Sequence, residues 1–271
     1  MSELSMEGFH DLTLKISRER GFGCASYKEK CLRRRIAVRM RARGIHTYTD
    51  YAILLDSDGA EYDRLLDTLT INVTKLFRNW EAYAALANTA IPELWRAQNS
   101  SIRVWSAGCS SGEEPYSIGV LFHRHAAVNG MLTQIGRVSI LGTDIDKQSL
   151  ESAERGEFEE GDFADTPEDL RAPYFSTAAP FAVAPTIKRM VRFERRDLLS
   201  EQPPKGNFDL IVCRNVLIYF DRQTQERLFE LFHDALAPGG FLMLGKVETL
   251  LGSVRGRLTP VDARERIFRR A

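Results

Sequence analysis

The rhythm of apolar and polar positions changes near the first quarter of the 271-residue chain. Up to about Thr70 the apolar residues recur at helical spacing, and no segment alternates as a half-buried strand would. Within residues 27–44, Leu32, Ile36 and Met40 return every fourth position and draw one apolar stripe, while Lys30, Arg34 and Arg41 fall on the opposite face. Gly44 is a stop signal for that helix. Further helices are predicted over 49–55 and 62–69, and a connecting helix over 81–98 with a boundary or kink at Pro92.

From Ile102 onward, short apolar runs alternate with helical stretches. Strands are predicted at 102–107, at 138–142 ending on Thr143-Asp144, at 191–195, at 208–213 and at 241–245. The run at 208–213 is apolar except at Asp209, which suits a strand buried on both faces. Helices are predicted at 114–124, 147–155 and 222–236. The last carries Leu228, Leu231, Phe232, Ala235 and Leu236 on one face and is stopped by Pro238-Gly239-Gly240. Residues 266–268 close the sheet. Residues 157–187 hold Pro167, Pro173, Pro180 and Pro185 and read as an irregular insertion. The alternation predicts an α/β, doubly wound, Rossmann-like sheet behind a small all-α domain, with no internal repeat.

Composition narrows the partners. Lys plus Arg and Asp plus Glu each number 37, so the net charge is zero and a globally basic nucleic-acid binder is disfavoured. Yet residues 27–44 concentrate eight Lys or Arg against one Glu. A charged helix of this kind is either a solvated face or a docking surface for an acidic partner. Cys24, Cys31, Cys109 and Cys213 form no C-x-x-C pair, and residues 1–10 have neither a basic nor an apolar leader region, so a cytoplasmic location is expected. No apolar run reaches the roughly 20 residues of a spanning helix, so no membrane insertion is expected. The sequons at Asn72 and Asn99 are then chance matches. Metal binding is not expected, because His123 and His125 point to different faces of a helix.

Three places carry chemistry. Residues 104–114, VWSAGCSSGEE, run strand, glycine turn, helix. Here Gly108 and Gly112 stand as G-x-x-x-G rather than the dinucleotide fingerprint, and Glu113 and Glu114 at the helix start repel phosphate but suit a cation. Asp144 at the next strand end is either a ribose ligand or a turn residue. Arg214 and Asn215 follow the buried strand 208–213 and face the ligand crevice of such a sheet, although Asn215 could serve only as a cap and Tyr219 only as a core aromatic.

Taken together these segments resemble the CheR-type chemotaxis-receptor glutamate methyltransferases. The resemblance is carried by Ile71-Asn72-Val73-Thr74-Lys75-Leu76-Phe77-Arg78, by Gly112-Glu113-Glu114-Pro115-Tyr116-Ser117, by Gly142-Thr143-Asp144-Ile145-Asp146, by Asp197-Leu198-Leu199 and by residues 213–221, in the family's order and spacing. It implies a class I S-adenosylmethionine-dependent methyltransferase sheet over residues 71–271, an all-α domain over 1–70 and a small β-subdomain insertion at about 155–191. It implies S-adenosylmethionine as methyl donor, S-adenosylhomocysteine as product, and glutamate side chains on the cytoplasmic helices of chemotaxis receptors as acceptors.

Matched residue by residue, Asn72, Thr74 and Arg78 contact the cofactor or lie beside its methyl group, Gly108 belongs to the cofactor turn, and Glu113 serves the methionine end. Asp144 holds the ribose, Asp197 and Leu198 flank the adenine, Asn215 and Val216 line the pocket floor, and Arg78 and Tyr219 are the catalytic candidates. The basic helix implies receptor docking through Lys30, Arg33, Arg34 and Arg41. A monomer is expected. The insertion lacks the Gly-rich loop of members that grip a receptor pentapeptide, so tether-independent action is expected. One departure stands out: where the family reads Gly-His-Ser-Glu, this chain reads Gly245-Lys246-Val247-Glu248. Rivals remain open at this point: a methyltransferase of this fold acting on another protein carboxylate or a small acid, a nicotinamide-dependent dehydrogenase, which lacks its fingerprint here, a non-catalytic S-adenosylmethionine sensor, and a nucleic-acid role for the basic helix.

Overall fold

The computed structural model describes residues 8–70, 72–97, 101–199 and 202–271. Ile71 of the first motif, Gln98 at the end of the connecting helix, the Asn99 sequon and the first seven residues lie outside them. The chain divides into two compact units, one holding residues up to 71 together with Tyr219–Thr224, the other Asn72–Ile218 and Gln225–Ala271.

The first unit is helical: α1 (Phe9–Arg20), α2 (Glu29–Ala42), α3 (Tyr48–Ser57) and α4 (Gly59–Leu69). In α2 the four-residue stripe Leu32, Ile36 and Met40 is buried as its spacing predicts, against Leu12, Ile16, Tyr51 and Leu65. The Thr47 hydroxyl caps α3 by accepting from Asp50 N, and the Asp58 carboxylate caps α4 by accepting from Glu61 N. Glu61 is fully buried. It receives two bonds from Arg39, at 3.0 and 2.6 Å, and one from the Tyr51 hydroxyl at 2.8 Å. Burial alone would raise its pKa, but these donors hold it below the usual carboxylate value.

The second unit opens with α5 (Trp80–Asn88) and α6 (Ala90–Arg96). The predicted connecting helix is thus two helices, broken at Thr89 rather than at Pro92. Thr89 leaves helical geometry at φ −116°, ψ −81°, whereas Pro92 sits in the first turn of α6, where a missing N–H costs nothing. There follow β1 (Ile102–Ala107), α7 (Glu113–Val128), β2 (Val138–Asp144), α8 (Lys147–Arg155), β3 (Glu157–Phe158), α9 (Glu168–Arg171), β4 (Phe181–Ala182), α10 (Pro185–Lys188), β5 (Val191–Arg195), β6 (Phe208–Cys213), α11 (Arg222–Ala235), β7 (Leu236–Leu244), β8 (Leu258–Asp262) and β9 (Ile267–Arg270).

Among the described residues seven strands form one sheet in the order β5-β2-β1-β6-β7-β9-β8, parallel except for β9 and β8. Alternate residues of β1 face opposite ways: Val104 joins the apolar cluster with α5, α6 and α7, while Trp105 packs on Phe232 of α11. Two predictions are corrected here. The Pro238-Gly239-Gly240 run does not lie between helix and strand but inside β7, as a bulge. Leu236 already pairs with Phe208, and Phe241 with Leu210, so the extra residues loop out around Gly239 at φ +75°. The sheet is closed by two antiparallel strands rather than by 266–268 alone, with β8 as an edge.

The insertion holds the two-stranded β3–β4 sheet and an edge-to-face cluster of Phe158, Phe163, Phe175 and Phe181. Among the described residues no helix is long and apolar enough to cross a membrane.

Candidate active site

β1 pairs with β2 on one side and β6 on the other, so the loops after these three strands meet at their carboxyl ends, where the strand order reverses. The turn after β1 is folded onto the end of β2: Gly108 N and Cys109 N both donate to the Thr143 carbonyl, at 2.8 and 2.9 Å. Asp144 splits its two oxygens. One accepts from Ser110 N of the turn at 2.8 Å, the other from Asp146 N at 3.0 Å. Gly108 has φ +79°, and a Cβ there would stand 2.6 Å from a methyl of Val216. The residue must therefore be glycine on two counts.

The carboxylates of this end are unusual. Glu113, the first residue of α7, is 4% exposed and accepts from the Ser111 hydroxyl at 2.8 and 3.0 Å. Burial pushes its pKa up to about 7, against the opposing hydrogen bonds from its own backbone, Ser111 and Thr74. Glu114, bonded to the Ser106 hydroxyl at 2.8 Å, is pushed by burial to about 7 despite the nearby Arg214 cation. Burial also raises Asp144, with the backbone N–H donors opposing.

Residues 72–78 wrap over the start of α7. Phe77 N donates to the Ser117 hydroxyl at 2.9 Å, and that hydroxyl donates to the Glu113 carbonyl at 2.6 Å. Asn72 Nδ2 donates to Asp146, which also caps α8. Asn72, Thr74, Ser111 and Glu113 line a cavity of 510 Å³ together with Arg155 and Asp162. Arg78 spends one donor on the Val73 carbonyl at 2.8 Å.

The loop after β6 carries Arg214, Asn215 and Val216. Arg214 is 6% exposed, lies 4.9 Å over the Tyr83 ring and donates to the Arg78 carbonyl at 2.8 Å. Asn215 adopts φ +62°.

The structure gathers Asn72, Thr74 and Glu113 around the cavity, and Gly108, Asp144 and Val216 around the turn. Asp197 and Leu198 line a separate narrow cleft with Trp105, Gln202 and Pro203. Tyr219 groups with the helical unit, where its carbonyl accepts from Lys28 N at 2.9 Å and its ring lies 5.5 Å from the Arg35 guanidinium. On α2, Lys30, Arg34 and Arg41 are exposed. Arg33 is not a free docking cation: it pairs with Glu29 at 2.6 Å and stacks 3.8 Å over Phe9, because the helix turns it toward α1.

Sequence reasoning passed over Glu248 and Ser110 as site residues, and set Arg214 at the ligand crevice without giving it a role. Glu248 was signalled only by Gly245-x-x-Glu248, and Arg214 by a charge directly after a two-face-buried strand.

The donor set fits a ligand with a cationic amino-acid end and a ribose. Buried carboxylates dominate, and the buried Ser110 hydroxyl has no hydrogen-bond partner among the described residues. A phosphate would meet Glu113 and Glu114 instead of a bare helix N-terminus.

Comparison with known proteins adds independent findings. Residues 72–267 match the family described as CheR methyltransferase, SAM binding domain, and residues 7–70 match the CheR methyltransferase all-alpha domain. A chemotaxis protein methyltransferase of Listeria innocua is 33% identical over 240 residues, covering 88% of each chain. One of Klebsiella aerogenes is 34% identical over 253 residues, covering 90% of this chain and 84% of its own. One of Borreliella burgdorferi is 32% identical over 242 residues, covering 86% and 84%.

Proposed function

The chain belongs to the CheR methyltransferase family and is an S-adenosylmethionine-dependent methyltransferase, and from that premise we propose that it esterifies glutamate side chains on the cytoplasmic helices of chemotaxis receptors. The observation that carries the site reading is the buried Glu113 carboxylate in the 510 Å³ cavity beside Asn72 and Thr74. In this reading Glu113 takes the methionine ammonium, Asp144 the ribose hydroxyls, Asp197 and Leu198 the adenine, and Asn215 and Val216 form the floor.

S-adenosylmethionine supplies a methyl group activated on a cationic sulfur. An acceptor glutamate has a pKa of about 4.3 and is already a nucleophile at neutral pH, so no residue of the chain is needed as a general base. The methyl carbon would bond to a carboxylate oxygen as its bond to sulfur breaks, leaving a neutral ester and a neutral thioether, so the chain's own residues contribute alignment and exclusion of water. Arg78, held at one donor by the Val73 carbonyl, orients the incoming carboxylate through one oxygen; gripping both would quench the nucleophile. The family resemblance alone assigns Tyr219 the part of an active-site tyrosine. The exposed Lys30, Arg34 and Arg41 dock the acidic receptor helices, and no receptor tether is required. The protein acts as a cytoplasmic monomer.

The test is methyl transfer from labelled S-adenosylmethionine to purified receptor cytoplasmic domains. Label released as methanol by mild alkali is expected, since a carboxyl methyl ester is base-labile. Calorimetric binding of S-adenosylhomocysteine with no base-labile label on any receptor domain would overturn the acceptor assignment. Absence of binding would overturn the site.

A further inference from the structure

Glu248 follows β7 and is 4% exposed. Its two oxygens accept four backbone N–H groups: Gly245 at 2.6 Å and Asn215 at 3.1 Å on one, Leu217 at 2.8 Å and Val216 at 3.0 Å on the other. Three of these donors belong to the loop after β6, more than thirty positions earlier in the chain. We propose that Glu248 is a positioning residue that sets the cofactor affinity by fixing Asn215 and Val216, and this rests on the cofactor site proposed above.

The argument is one of donor and acceptor count. Four converging N–H groups need an acceptor with two oxygens and no hydrogen of its own, which is an ionised carboxylate. Unpaired, they would be orphaned donors in a buried place, each a substantial penalty. The carboxylate also holds Asn215 at φ +62°, a backbone state that non-glycine residues adopt rarely. It thereby presses Val216 against Gly108 of the turn after β1. Gly245 is required for the approach, since a Cβ there would stand 2.8 Å from Glu248 Oε2 and 2.9 Å from Asn215 N.

With both oxygens committed to the backbone, Glu248 acts on the ligand through the loop. Lys246 and Val247, the two departures from the family's His-Ser, face outward: Val247 is 72% exposed, and Lys246 reaches Glu265 and Glu81 at 3.7 and 3.9 Å. The departure therefore leaves the anchor intact.

The test uses the full chain with S-adenosylhomocysteine as calorimetric probe and amide hydrogen exchange as a second readout. Glu248→Gln keeps the volume but replaces one acceptor oxygen with a donor. It is expected to weaken binding at least tenfold and to speed exchange of the Val216 and Leu217 amides at least tenfold, with exchange in β1 and β2 unchanged. Glu248→Asp, which keeps both oxygens one methylene further back, is expected to fall between. Glu265→Gln, an equally buried carboxylate outside the loop, is expected to leave affinity and loop exchange unaltered.

Wild-type affinity in folded Glu248→Gln would overturn the proposal, as would equal losses in Glu265→Gln. Should Glu248→Gln fail to fold, the Asp variant decides, and unchanged affinity there overturns the proposal. If the unmodified protein binds no S-adenosylhomocysteine, the cofactor site itself has failed, and a positioning residue for it is overturned with it. Loop exchange still rising in Glu248→Gln would then trace that failure to the site and not to the anchor.

Discussion

A methyl of Val216 occupies the space where a side chain on Gly108 would begin, 2.6 Å from the ideal Cβ position. Two loops from different strands thus share one small volume at the candidate cofactor site. Gly108→Ala must move Val216 and also hold alanine at φ +79°. We expect a loss of about 1–3 kcal/mol of stability and at least tenfold weaker S-adenosylhomocysteine binding. Adding Val216→Ala should return part of the stability, because it removes the clash but not the backbone strain. Thermal melts and calorimetry check both.

Glu113 gives the site a pH signature. Burial puts its pKa near 7 in the folded protein, above the ordinary value of 4.5. A cationic ligand end needs the ionised form, so affinity should rise with pH to about 7 and flatten above it. The sign for stability is opposite. The folded state favours the protonated carboxyl, so its contribution is full below about pH 4.5 and is lost as pH rises through about 7. Glu113→Gln should bind weakly and lose the pH slope. Calorimetry at pH 5.5, 7 and 8.5, chosen as roughly evenly spaced points about the shifted pKa, reads this out.

Arg34 and Arg33 are neighbours on α2 with different duties. Arg34 is exposed, whereas Arg33 is tied to Glu29 and Phe9. Arg34→Glu should slow receptor methylation several-fold with no change in S-adenosylhomocysteine affinity, and the defect should shrink at high salt. Arg33→Ala should instead lower the melting temperature. Equal effects of Arg34→Glu on methylation and on cofactor affinity would contradict a docking role.

Arg78→Ala should reduce turnover at saturating cofactor by about 10–100-fold if orientation of the acceptor carboxylate is its contribution. Single-turnover kinetics measures it, and an unchanged rate would remove Arg78 from the mechanism.

Glu61 supports the helical unit. Glu61→Ala leaves Arg39 and the Tyr51 hydroxyl without their buried partner, and we expect about 3 kcal/mol of destabilisation with cofactor affinity retained. Denaturant unfolding monitored in each unit checks it.

The sequence by itself determined the elements whose burial pattern is local. Strand 208–213 is legible because a strand covered on both faces reads as a nearly continuous apolar run, interrupted here at Asp209, and the α2 stripe because its three buried residues lie on one face of a single helix. The glycine turn and the position of Asp144 at the end of its strand were legible for the same reason, since each depends on a few adjacent residues.

What the tertiary structure alone decided depends on partners distant along the chain. The bulge at Pro238-Gly239-Gly240 exists because β7 must keep register with β6, and the grouping of Tyr219–Thr224 with the helical unit follows from pairing such as Tyr27 with Phe220. Arg33 and Arg39 look like their basic neighbours in the sequence, and only folding assigns them to the Phe9 ring and to Glu61. Glu248 is the clearest case. One carboxylate satisfies four N–H groups, three of them more than thirty residues away, and a hydrogen bond between distant backbone and side chain leaves no periodic trace in the chain that makes it.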